Sequence, residues 1–129
     1  MELEFRLITK LIALANNSDN QVVHKMACIG TDKRGRVISW GINSKKTHPY
    51  QSEMANATGN IHKIYLHAEI ACLVRSRKKI ETLYICRLSN NGKLNMAKPC
   101  DICMEAIKIA KVSKVIYSTK YGTFEELFI

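Results

Sequence analysis

His67, Cys100 and Cys103 are residue types that bind transition metals, and they fall in a pattern: His67-Ala68-Glu69, then 29 residues, then Pro99-Cys100-Asp101-Ile102-Cys103. One imidazole and two thiolates make three protein ligands for a tetrahedral zinc. Leaving the fourth position to water is the arrangement of a catalytic site rather than a closed structural one. Glu69 is then free to move protons.

Two duller readings compete. A Cys-x-x-Cys pair alone often serves redox chemistry, but thioredoxin-like motifs bring no upstream His-x-Glu. A closed Cys₂His₂ zinc site, with His62 or His48 as fourth ligand, is the other, since residues 43–66 hold both histidines. Cys28, Cys72 and Cys86 lie on apolar segments and read as core residues.

The ligands must be brought together by the elements that carry them. Residues 67–79 are apolar almost all round at first and cationic at the end, the pattern of a buried helix opened by His67. A second helix is expected over residues 100–112, with Asp101 in its first turn and Cys100 and Cys103 three apart on one face. Two helix N-termini, with free amide donors and partial positive charge, favour the thiolates that zinc requires.

Around them, residues 3–15 repeat apolar side chains at helical spacing, and residues 22–30 and 36–42 form a hairpin about the Asp32-Lys33-Arg34-Gly35 turn. Residues 82–88 and 114–118 are further strands. The polar residues 43–66 lose periodicity, and a loop this long is usually functional or partly helical. The order β-β-α-β-α-β after an N-terminal helix predicts a sheet whose last strands are parallel and covered by helices on at least one face.

The 129 residues suit one domain, with no repeat or linker to divide residues 1–129. With 47% apolar and 24% charged residues the composition is that of an ordinary globular protein, and no apolar run approaches a membrane span. The N-terminus lacks the basic-then-apolar order of a signal peptide, and five cysteines at irregular spacing make no disulfide framework. A cytoplasmic location is expected. A formal charge of +9 favours anionic partners, although Arg75-Ser76-Arg77-Lys78-Lys79, the only dense run, also suits a solvated helix end.

On its two motifs the chain resembles the zinc-dependent cytidine and deoxycytidylate deaminase superfamily, whose signature is H-x-E followed by P-C-x-x-C. The resemblance covers residues 26–118. It implies a three-layer α/β/α sandwich around a mixed sheet of four to five strands. It also implies that His67, Cys100 and Cys103 hold a zinc that activates water, with Glu69 relaying protons to the ring and to the departing ammonia. By the same resemblance the Ala68 backbone N–H meets the pyrimidine carbonyl and Asn43, after the second strand, contacts the substrate.

The substrate is less determined. His67 in place of a third cysteine shifts weight from free cytidine toward deoxycytidylate, polynucleotide-cytosine and tRNA-adenosine deaminases. The tRNA enzymes usually extend beyond the last sheet strand, whereas residues 119–129 allow only a helical turn capped by Thr123 and Glu126, or an antiparallel edge. A cytosine-containing nucleotide such as dCMP, or single-stranded nucleic acid, is the favoured substrate, with tRNA adenosine and a non-enzymatic, zinc-stabilised nucleic-acid-binding module as alternatives. The resemblance adds a homo-oligomer. Lys45, Lys46 and His48 are candidate phosphate ligands, Tyr50 and Tyr65 candidate stacking partners, Trp40 reads as packing, and His24 receives no role. Lysines 45 and 46 and the 75–79 run lying in one groove with the pocket would mark a polymer site.

Overall fold

A computed structural model of the chain describes residues 2–18, 24–63 and 65–129. Its elements in order are α1 (Glu2–Asn16), β1 (Lys25–Thr31), β2 (Val37–Ile42), α2 (Pro49–Ala57), α3 (Ala68–Arg75), β3 (Thr82–Leu88), β4 (Leu94–Asn95), α4 (Asp101–Ile109), β5 (Lys114–Ser118) and β6 (Phe124–Phe128). Residues 22 and 23, the expected start of the first strand, lie outside the described residues.

The main strand order is β2-β1-β3-β5-β6, with the two-residue β4 paired to β3. The sheet is mixed: β3 and β5 are parallel and the other pairs antiparallel. The expected four to five strands thus become six, because the chain between β3 and α4 adds a short strand and the tail pairs with β5. Of the two outcomes open for the tail, the antiparallel edge forms and the capped turn does not.

Three layers follow from where the apolar stripes point. Leu7, Leu11 and Ala15, spaced by four, bury against Ala27, Ile29, Tyr84 and Cys86 on one face of the sheet. On the other face Cys28, Leu83, Ile85 and Val115 meet Ala68 and Cys72 of α3 and Ile107 of α4. Fully burying Leu or Ile side chains of this kind contributes about 1.5–3 kcal/mol each. A third cluster joins α2, α3 and α4 through Met54, Ala55, Ile70, Ile102, Cys103 and Ala106.

Residues 43–66 are the partly helical case. Pro49 starts α2 at a position where its missing N–H is no loss, and His48 caps it by accepting the Tyr50 amide on Nδ1 at 3.0 Å. The helix α3 lies so close to β2 that a Cβ on Gly41 would stand 2.6 Å from the Ala68 carbonyl oxygen and the Cys72 nitrogen. Ser39 Oγ donates to the Cys72 carbonyl at 2.7 Å, pinning the same helix to the same strand. Among the described residues no helix is long and apolar enough to cross a membrane.

Candidate active site

His67 and Cys100 are the N-caps of α3 and α4, each extended in backbone and neither spending its side chain on a capping hydrogen bond. Cys103 follows in the first turn of α4, so both helix starts aim their free side chains at one point. Gln51 of α2, fully buried, holds the approach: its Oε1 accepts the His67 amide at 3.1 Å while its Nε2 donates to the Lys63 carbonyl at 3.1 Å.

His67 Nδ1 lies 3.3 Å from Cys103 Sγ and 3.6 Å from Cys100 Sγ, and the three ligand atoms all fall within 4.8 Å of one another. Tetrahedral zinc with ordinary Zn–N and Zn–S bonds places its N and S donors about 3.6 Å apart, so the spacing fits. The protonation pattern fits as well. Hydrogen bonding from Cys103, then from His67, lowers the Cys100 thiol to about 3, against the opposing effect of burial. The same contact with Cys100, followed by burial, holds the Cys103 thiol well above its usual value, and the Cys100 hydrogen bond raises His67. A thiol disposed to lose its proton, beside an imidazole and a second sulfur, is a donor set suited to a cation. The closed Cys₂His₂ alternative does not form: His48 caps α2, His62 is exposed, and the His67, Cys100, Cys103 group is the metal cluster among the described residues.

Glu69 lies in the first turn of α3, 2% exposed, with Oε1 lacking any hydrogen-bond partner. Burial raises its carboxyl pKa, outweighing the lowering by its own backbone N–H and by His67. A buried carboxyl oxygen without a partner, beside three metal donors, is a group arranged for something that enters the site.

Two cavities meet at His67. The first, about 160 Å³, is lined by Met26, His67, Glu69, Arg87, Met96, Lys98 and Cys100. The second, about 270 Å³, is lined by His24, Asn43, Ser44, Lys45, Tyr65 and Leu66 beside His67. The Asn43 amide is braced at both ends, accepting the Met26 N–H at 3.0 Å and donating to the His24 carbonyl at 2.6 Å. Arg87 and Lys98 escaped the sequence reading. A lone arginine in the otherwise apolar Leu83-Tyr84-Ile85-Cys86 strand was the available signal, because such a charge on a buried strand needs a reason.

Other candidates scatter. Tyr50 packs against the cluster between α2 and α4. Trp40 lies under the Arg75 guanidinium, 3.9 Å from its ring centroid. Arg75, Arg77 and Lys78 line a separate depression with Ile38. The eight residues of α3 put that end about 12 Å along the helix from His67.

The donor set and the fold together define a zinc-dependent hydrolase of the deaminase type. The family model described as "Cytidine and deoxycytidylate deaminase zinc-binding region" matches residues 1–119, and the chain belongs to that family. No curated protein sequence matches it significantly. Among solved structures it is similar to the dCMP deaminase of cyanophage S-TIM5, with a TM-score of 0.60 and 20% identity over 90% of this chain and 82% of that one. The cytidine deaminase of Burkholderia pseudomallei gives a TM-score of 0.64 at 13% identity, covering 96% and 91% of the two chains. That of Mycobacterium leprae gives 0.57 at 16%, covering 92% and 87%. At these identities the likeness is one of fold.

Proposed function

We propose that the chain deaminates the cytosine of a (deoxy)cytidine nucleotide such as dCMP, converting it to uracil and ammonia with water as the second reactant. The observation that carries this is the unpartnered Glu69 Oε1, in one cavity with His67 and Cys100, whose donor atoms cluster with that of Cys103 within 4.8 Å. Those three residues would hold zinc, which when bound brings the pKa of water toward neutrality.

The remaining work falls to the protein. Glu69 takes one proton from the attacking water and passes it to the ring nitrogen beside the amino-bearing carbon, then takes the second from the new hydroxyl and delivers it to the departing amine as the carbonyl forms and the C–N bond breaks. Its raised pKa suits both directions of transfer. Ala68, the first residue of α3, has a backbone N–H at a helix start, suited to the pyrimidine carbonyl. Asn43 keeps one amide hydrogen and one oxygen lone pair beyond its two braces, enough to meet a sugar hydroxyl.

A nucleotide is favoured over a polymer because the 75–79 run lines a depression of its own, away from the cavity. The test is a product assay on zinc-loaded protein with dCMP, deoxycytidine, cytidine, single-stranded DNA and tRNA side by side. Ammonia and a uracil product from dCMP are expected. Release from none of them would sink the reading, and release from DNA or tRNA alone would replace its substrate. The same preparation, sized by light scattering, is expected to be a homo-oligomer.

A further inference from the structure

The Arg87 guanidinium has little to do in the fold. It projects from β3 into the wall of the 160 Å³ cavity that Glu69, Cys100 and Lys98 also line. Among the described residues no carboxylate pairs with it, and its Nε is buried with no hydrogen-bond partner. Among the described residues its side-chain hydrogen-bond partner is the His24 ring, where Nη2 lies 2.9 Å from Nδ1 and 3.3 Å from Nε2.

The backbone under it is held firmly. The Arg87 amide donates to Ser118 Oγ at 3.1 Å, and that hydroxyl donates to the Asn95 carbonyl at 2.7 Å, locking β3 to β5 and β4 at this point. His24 also receives the Asn43 amide on its carbonyl, so one chain of contacts joins the wall of the first cavity to that of the second. A buried donor left unmatched is costly to the fold. A fold that keeps a guanidinium in a cavity wall with no carboxylate paired to it has left room for an incoming anion to pair with it.

We propose that Arg87, seconded by Lys98, binds the phosphate of a free cytosine 5′-monophosphate and so selects nucleotide over nucleoside. This rests on the deaminase reading of the site. The planar guanidinium meets phosphate oxygens as a fork, which an uncharged sugar hydroxyl does not offer. A monoester presents three oxygens and close to two charges, where a polymer linkage carries one charge and two neighbours to accommodate. The small cavity and the separate placement of Arg75, Arg77 and Lys78 favour the monoester.

The test measures binding as well as turnover. Zinc-loaded Glu69→Gln protein, which stops the reaction, is titrated calorimetrically with dCMP, deoxycytidine and the trinucleotide dT-dC-dT. The dCMP affinity is expected to exceed that of deoxycytidine by about tenfold or more, as a charge-assisted fork provides. That ratio collapses to about one in Arg87→Met and recovers in part in Arg87→Lys. Lys98→Met, at an exposed position, lowers the ratio in a protein whose core is untouched. Equal affinity for dCMP and deoxycytidine, tighter binding of the trinucleotide, or a dCMP advantage that survives Arg87→Met overturns the proposal. Wild-type protein that releases ammonia from dCMP and deoxycytidine without an affinity advantage keeps the deaminase reading and loses this one. A dCMP preference through Arg87 with no ammonia from any substrate does the reverse.

Discussion

Glu69 combines three features seldom found together: it is buried, its Oε1 has no partner, and it sits beside metal donors without belonging to their cluster. Its exchange for glutamine keeps the volume and would remove the proposed proton relay. Glu69→Gln is expected to bind zinc with the stoichiometry of the parent chain while kcat falls about 10²–10⁴-fold. A variant that keeps both metal and turnover would remove Glu69 from the mechanism. At this scale the residues of the proposed site stood out in the sequence, because imidazole, thiolate and carboxylate chemistry leaves few uses for that spacing, and the fold brings His67, Cys100 and Cys103 within 4.8 Å of one another. Gln51, Arg87 and Lys98 were not legible in the same way, since glutamine, arginine and lysine are ordinary surface residues. Their roles come from which cavity or amide the fold sets them against, a long-range property that no local pattern records.

At the scale of elements, α3 is the part that cannot shift without cost. Its first turn carries Glu69, its N-cap is His67, and its axis rests on β2 at Gly41. Gly41→Ala forces a methyl to within 2.6 Å of two backbone atoms, and neither is the end of a flexible side chain that could swing aside. The variant is expected to lose about 1–3 kcal/mol, seen as a melting point several degrees lower, together with weakened zinc binding as the helix start moves. Unchanged melting and metal affinity would mean that the contact relaxes freely. A glycine inside a strand does signal close backbone approach, but only the tertiary arrangement tells what approaches. The strands 82–88 and 114–118 were read to the residue, because continuous β-branched and aromatic runs bounded by turn residues leave little choice. The helix α2 was harder: its apolar positions are few, and its start rests on a histidine cap followed by proline.

Across the whole molecule, metal and fold are separable. The two large clusters on either face of the sheet form without the ligand cysteines, so the zinc-free chain should keep its sheet and helices rather than collapse as a small zinc finger does. Chelation is expected to lower the melting temperature while far-ultraviolet dichroism stays close to that of the loaded protein. Zinc at 100 times its dissociation constant adds about 2.7 kcal/mol of stability. Loss of all secondary structure on chelation would refute this. The net charge of +9 spoke only of anionic partners in general. Where it acts depended on the fold, which sends the dense 75–79 run to one depression and leaves Arg87, Lys98 and Lys45 around the cavities at His67.

The Gln51 side chain, which ties the Lys63 carbonyl to the His67 amide, makes residues 65–67, with the proposed ligand His67, parts of one local opening equilibrium. Whatever fixes the imidazole also lowers the population in which residues 65–67 swing away from α2. Amide protons there should therefore exchange with deuterated solvent more slowly in the zinc-loaded protein than in the zinc-free one, while β3 and β5 are protected in both. The exchange rate of this short stretch would then serve as a gauge of how much of a preparation carries its metal.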